Sequence, residues 1–292
     1  MMWLGTAELV AAVSAAGGLG IIGAGNAEPD WVREQIRLTL RRTDRPFAVN
    51  LVMFSRHIDE TVQVVLEEKV PIVAFGAGNP ERFVARLREA GTKVISVVAS
   101  VAAAKLAARV GADVIVAEGM ESGGEIGEVA TMALVPQVVD AVKVPVLAAG
   151  GIADGRGLAA ALALGAQGVQ MGTRFICSHE CTAPQPFKEM IVRAGDRATT
   201  VSGSKTGPAV RSLDNLLTQA LRTMESSGAT TEELALLARD KAYLGLVEGD
   251  VRRGYLLSGQ SAGLIKDIKP AAAIIGDTIA EAAAVIKKLG ER

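Results

Sequence analysis

The segment GMESGGEIGEV, residues 119–129, carries three carboxylates, Glu121, Glu125 and Glu128, around two adjacent glycines, Gly123 and Gly124. It contains no lysine or arginine. A carboxylate in such a loop can serve as an acid only where burial raises its pKa. The glycines let backbone lie directly against a ligand. The segment follows ADVIVA, which reads as a buried strand, and precedes a helical pattern.

Other candidate positions share that place at the end of an apolar run. They are Gly23-Ala24-Gly25-Asn26, Asn50, Gly76-Ala77-Gly78-Asn79, Ser100, Glu118, Gly150-Gly151 and Gly172-Thr173-Arg174. Glycine at almost every run end implies close approach of backbone to a bound group. The stretches AAGGIADGRG and QMGTR can present free N–H groups to an anion, which predicts a phosphate-bearing ligand. No lysine stands at a run end, which disfavours Schiff-base chemistry. The two histidines, His57 and His179, fall in or beside helical segments, so no histidine metal site is expected. A glycine-lined mouth with few ionisable groups suits a large planar cofactor that brings its own reactivity.

The elements behind these positions repeat. LVAAVSAAGG leads to LGIIG, TVQVVLEEKV to PIVAFG, RFVARLREAG to KVISVV, AAKLAARVGA to DVIVAEG, and LVPQVVDAVK to VPVLAAGG. Each unit is a helix, a short break and a nearly continuous apolar strand, the pattern of a parallel sheet covered by helices. With FAVNLV, seven strands are predicted near 19–23, 47–52, 72–76, 93–98, 113–118, 144–150 and 168–173. A TIM (β/α)8 barrel needs eight. The first strand is therefore expected upstream of Met1, lost to truncation or a misplaced start codon, with an open seven-stranded sheet as the alternative. Residues 174–260 are irregular and more polar, and predict a helical lid over the strand ends. Residues 271–289 predict a closing helix. The expected domains are a barrel from 1–173 and 261–292, and a substrate lid from 174–260.

The 292-residue chain has 49% hydrophobic residues and a formal charge of -1, values of one soluble globular core. A near-neutral balance and 3% aromatics argue against nucleic acid and against an anionic membrane surface. The uncharged stretch from Leu9 to Ala27 is long enough to span a bilayer. Its glycines break it into a helix and a strand instead. Cys177 and Cys181 do not form a CxxC pair and read as ordinary thiols of a reducing cytosol.

AAVSAAGGLGIIGAGNA, RPFAVNLV, GAGNP, AEGMESGGEIGEVATMALVPQVVDAV, VPVLAAGGIADGRGLAAALALGAQGVQMGTRF and SGQSAGLI, taken in order, resemble the FMN-dependent enoyl-acyl-carrier-protein reductases. The sibling family is nitronate monooxygenase, also called 2-nitropropane dioxygenase. MESGG and IADGRG lean toward the reductase. The resemblance implies a TIM barrel with a helical lid. It implies FMN as cofactor and NADH or NADPH as reductant. The substrate it implies is an enoyl thioester on acyl carrier protein, reduced in the cytoplasm during fatty acid elongation. It leaves room for a homodimer.

Carried over motif by motif, it places Asn50 and Glu118 at the polar edge of the isoalloxazine. Gly123 and Gly124 pass close to the flavin, and Gly150, Gly151, Gln170, Met171, Gly172 and Thr173 hold the phosphate and ribityl chain. Met1 and Gly76 belong to the same cofactor-facing set. The departure is Glu125, where both siblings carry histidine. An ionised glutamate offers only acceptors, whereas histidine can donate a proton. Glu125 is expected either as a catalytic acid with a raised pKa or as a solvent-facing side chain beside flavin-borne chemistry. Arg174 and Lys205 are expected to bind anionic parts of cofactor or substrate.

Overall fold

The computed structural model describes residues 1–76, 78–204, 207 and 209–291. Ala77 and Lys205 lie outside the described residues.

Ten strands are interspersed with helices among the described residues. The strands are β1 (Gly20–Gly25), β2 (Phe47–Val52), β3 (Ile72–Gly76), β4 (Lys93–Val98), β5 (Val114–Glu118), β6 (Gly124–Glu125), β7 (Val146–Ala149), β8 (Val169–Gln170), β9 (Thr199–Ser202) and β10 (Val210–Leu213). The barrel helices are α1 (Ala7–Ala15), α2 (Pro29–Arg42), α3 (Ile58–Glu67), α4 (Glu81–Glu89), α5 (Val101–Val110), α6 (Thr131–Ala141) and α7 (Gly155–Ala163). They are followed by α8 (Thr173–Ile176), α9 (Gln185–Val192), α10 (Leu216–Ser226), α11 (Thr231–Ala238), α12 (Lys241–Leu246) and α13 (Ala271–Gly290).

Seven strands form one parallel sheet in the order β1-β2-β3-β4-β5-β7-β8. Its inner face gathers Ile21 of β1, Ala74 of β3, Ile95 of β4, Val116 of β5 and Leu147 of β7 into a single cluster. First and penultimate strands can share one cluster only if the sheet curls, so the architecture is a TIM-type barrel. The outer face packs on the helices through Val49, Val73, Val94, Ile115 and Ala148. Burial on both faces explains why these strands read as unbroken apolar runs.

β1 and β8 are not paired, and no eighth barrel strand occurs among the described residues. Residues 1–5 cross the mouth of this gap. Trp3 N donates to Gly23 O (3.2 Å), and Gly23 N donates to Gly5 O (3.0 Å). A Cβ on Gly23 would stand 2.2 Å from Met1 O, so only glycine admits this crossing. Helix α13 closes the fold against α7. A Cβ on Gly155 would lie 2.4 Å from Ala282 N.

Residues 174–260 are not wholly helical as expected. β9 and β10 form an antiparallel ribbon, and β10 also pairs with β6 from the acidic loop, Val210 with Glu125 and Arg211 with Gly124. No helix of the described residues is long and apolar enough to cross a membrane.

Candidate functional site

The C-terminal ends of the parallel strands open into one cavity of about 1570 Å³. Asn50 from β2, Gly76 from β3 and Glu118 from β5 line one side. Gly123, Gly124 and Glu125 line it from the acidic loop. Gly150, Gly151, Gln170, Met171, Gly172 and Thr173 line it from the ends of β7 and β8, and Met1 reaches it from the crossing segment. The residues expected to face a flavin, together with Glu125, therefore line one space, whereas Arg174 does not line it. Parallel strands deliver their ends to a single face, which is why this grouping was readable before the fold was known.

The β7 and β8 ends form an anion cradle. Gly150 has φ +97° and Gly151 φ +74°, a left-handed conformation that favours glycine. Among the described residues no protein group accepts from the amides of Gly150, Gly151, Gly172 or Thr173. Four unpartnered N–H groups facing one cavity can hold a phosphate without a cation. No lysine, arginine or histidine lines the cavity among the described residues. Opposite, Asn50 Nδ2 donates to Ala74 O at 3.3 Å, leaving its amide oxygen to the cavity. A Cβ at Gly124 would meet nothing within 4 Å, so this edge leaves room for a planar group. The residues present thus fit a phosphate-bearing, planar cofactor.

Two carboxyls face that space. Burial pushes Glu118 up to about 7, and nearby Glu125 pushes the same way. Burial also raises Glu125 above its ordinary value, although this side chain keeps exposure. A neutral Glu118 near pH 7 can donate a hydrogen bond that an ionised one cannot.

The acidic loop differs from its expected flexibility. β6 holds Glu125 in a three-stranded sheet with β10 and β9. Arg211, 4% exposed, donates from Nε to Met120 O at 3.0 Å and anchors the loop from below. Glu121 turns away from the cavity's reactive side and accepts from Thr131 N (2.9 Å) and Thr131 Oγ1 (2.8 Å) at the start of α6. Gly123 is demanded by protein as well as by space for a ligand. Its Cβ would stand 2.6 Å from Ser258 C and 2.7 Å from Gly259 N. Gly259 N in turn donates to Thr173 Oγ1 at 2.9 Å, tying the acidic loop to the anion cradle. Sequence reasoning assigned no roles to Arg211, Thr131 and Gly259. SGQSAGLI marked the last of these, but its spatial partner is 136 positions upstream.

Arg174 is corrected. It is buried, and its Nη1 pairs with Asp267 Oδ1 at 3.0 Å while Nη2 donates to Asp267 O at 2.9 Å. It braces the cap and does not face the cradle's anion. Cys177 and Cys181 are free, buried thiols. His57 precedes α3 and accepts from Arg56 Nε at 2.7 Å, and no group of metal-ligating side chains forms among the described residues.

Comparison with known proteins extends this picture. FabK from Thermotoga maritima shares 49% identity, with a TM-score of 0.97 and coverage of 100% of this chain and 93% of that one. A (3aS,4S,5R,7aS)-5-hydroxy-7a-methyl-1-oxo-octahydro-1H-indene-4-carboxyl-CoA dehydrogenase of Rhodococcus jostii (strain RHA1) is 34% identical over 99% of this chain and 93% of its own length. A probable nitronate monooxygenase of Staphylococcus saprophyticus is 32% identical, covering 97% of this chain and 93% of that protein. The family model for nitronate monooxygenase matches residues 1–61 and 53–281. With nearly its whole length matched and its site built on one strand-end face, the chain belongs to the nitronate monooxygenase family of oxidoreductases.

Proposed function

We propose that the protein is an FMN-dependent enoyl-acyl-carrier-protein reductase that draws its electrons from NADH or NADPH. The observation that carries this reading is the pairing, in one cavity, of four unpartnered amides at the β7 and β8 ends with the open face beside Gly124. The likeness to FabK favours reduction of a thioester over oxidation of a nitronate.

Gly150, Gly151, Gly172 and Thr173 would hold the FMN phosphate through backbone N–H groups, and Gln170 and Met171 would flank the ribityl chain. When bound, the flavin supplies the hydride chemistry. Asn50 orients the ring edge with the amide oxygen left free by its bond to Ala74 O. Glu118, pushed up to about 7 by burial, would in its protonated form donate a hydrogen bond to an acceptor at that edge. Glu125 would line the substrate side of the flavin, where burial shifts its carboxyl above the ordinary value. Residues 174–260 act as the substrate lid.

The test is anaerobic mixing of the FMN-loaded protein with NADH and, separately, NADPH. Rapid bleaching of the flavin absorbance, reversed by an enoyl thioester, supports the reading. Absence of bleaching by either nicotinamide, with oxygen uptake on addition of an alkyl nitronate, refutes it in favour of nitronate oxidation.

A further inference from the structure

The cavity continues past the end of β4. Along this strand, Ile95 and Val97 belong to the cluster inside the barrel, whereas Val94 and Val98 belong to the cluster shared with the helices. By the two-residue period Ser96 also faces the helical layer. Ser96 and Val98 nevertheless line the cavity, together with Ala103, Leu106 and Ala107 on α5. A crevice therefore descends between β4 and the first turns of α5. From Val101 to Ala107 the helix falls about 9 Å, at 1.5 Å per residue.

Gly127 roofs the entrance. A Cβ there would stand 2.5 Å from Ala99 Cβ, so the acidic loop lies directly on the β4–α5 turn. Ile126 and Val129 flank the opening and line the same cavity. Inside, the walls are aliphatic except for Ser96. That residue is 1% exposed, and its hydroxyl has no protein hydrogen bond among the described residues. It is absent from the fully enclosed unpartnered atoms, so the hydroxyl touches the crevice space. An aliphatic lining with one hydroxyl that lacks a protein partner offers no charge to pair with an ionic ligand and suits an unbranched alkyl chain.

We propose that the crevice between β4 and α5 is the subsite for the acyl chain of the thioester, and that Leu106 sets the chain length it accepts. This assignment rests on the reading that the substrate is an acyl thioester. It gives the acidic loop a second duty, because the loop that presents Glu125 also covers the crevice mouth. Chain length and positioning of the reactive carbons are then read by one element.

Saturated acyl thioesters of N-acetylcysteamine, graded in length, provide the probe. They cannot be reduced, so their binding to the full chain in the presence of FMN, measured by calorimetry, is independent of hydride transfer. Affinity is expected to rise about fourfold per methylene and then to level off once the chain reaches Leu106. Leu106→Ala should move that break to longer chains, and Leu106→Phe to shorter ones. Ser96→Ala, a substitution without added bulk, should leave short chains unaffected and tighten those that reach the floor. Affinity that ignores chain length, or a break that stays in place in Leu106 variants of unaltered melting temperature, overturns the assignment. A break in binding without turnover of the matching enoyl thioesters upholds the alkyl subsite and refutes the reductase reading. Turnover without any chain-length dependence does the reverse.

Discussion

Glu118→Gln should strengthen the fold above pH 7 and leave it unchanged below pH 4.5. The carboxyl sits at the end of β5, where burial pushes its pKa from 4.5 to about 7. An acid whose folded pKa lies above its unfolded value holds its proton more tightly when folded. The native state therefore loses stability as pH rises from 4.5 to about 7, and the loss is complete above that. At 1.36 kcal/mol per pH unit the full penalty is about 3 kcal/mol. Glu118 keeps contact with the cavity, which brings the expected figure to about 2–3 kcal/mol. Glutamine is neutral throughout and escapes it. Urea denaturation of both proteins without added flavin, repeated from pH 4 to pH 8.5, reports Glu118 together with the two groups coupled to it, the Met1 ammonium and Glu125. The stability difference should open between pH 4.5 and 7 and then stay level. A difference that is constant across the range, or that favours the glutamate at high pH, refutes the argument that this carboxyl is held neutral by burial.

Gly150→Ala places a Cβ 2.8 Å from Gly119 O at φ +97°. It should cost about 2–4 kcal/mol and, by moving the cradle amide, weaken FMN binding at least tenfold in a fluorescence titration. Glu125→His should speed hydride transfer from nicotinamide by roughly two orders of magnitude, whereas Glu125→Gln should change it little; loss of activity in the glutamine variant, with loss of the acidic limb of the pH profile, would instead make the glutamate an essential acid. Arg174→Met should lower the melting temperature by removing the donor to Cys177 O and Asp267 O, while Asp267 keeps Lys269, and should leave FMN affinity unaltered, since the guanidinium braces the cap. Gly276→Ala, inside α13 with nothing within 4 Å of the new Cβ, should stabilise by about 0.5–1 kcal/mol in thermal unfolding.

The barrel was legible because its code is local. Phe47–Val52, Ile72–Gly76 and Lys93–Val98 coincide with the apolar runs predicted for them, since a strand buried on both faces needs no distant partner to look like one. The cavity residues were legible for the same reason, as ends of parallel strands share a face. What escaped notice depends on pairs far apart in sequence. Arg174 looked like an anion ligand because it follows QMGT, and only the fold brings Asp267 to it. The acidic loop looked free because a two-residue strand has no period to detect. Its partner, Val210–Arg211, lies beyond seven further helices and strands. Glycine at 123 was tied to a bound flavin, whereas the backbone that the structure brings against it is that of Ser258 and Gly259.

The pairing of Gly124–Glu125 with Val210–Arg211 also imposes an order of events during synthesis. At 5–20 residues per second, a ribosome delivers residue 210 roughly 4–17 seconds after residue 125. Gly259, which wedges against Gly123, follows later still. Throughout that interval the nascent barrel can form its sequential strand neighbours, while the loop over its mouth has no strand to join. The loop over the cavity mouth is therefore completed after the parallel sheet, and α13, which closes the fold on α7, follows it. If the cavity holds flavin as proposed, its capture is expected only after the parallel sheet has formed, and stalled chains ending before residue 199 should fold strands without retaining flavin.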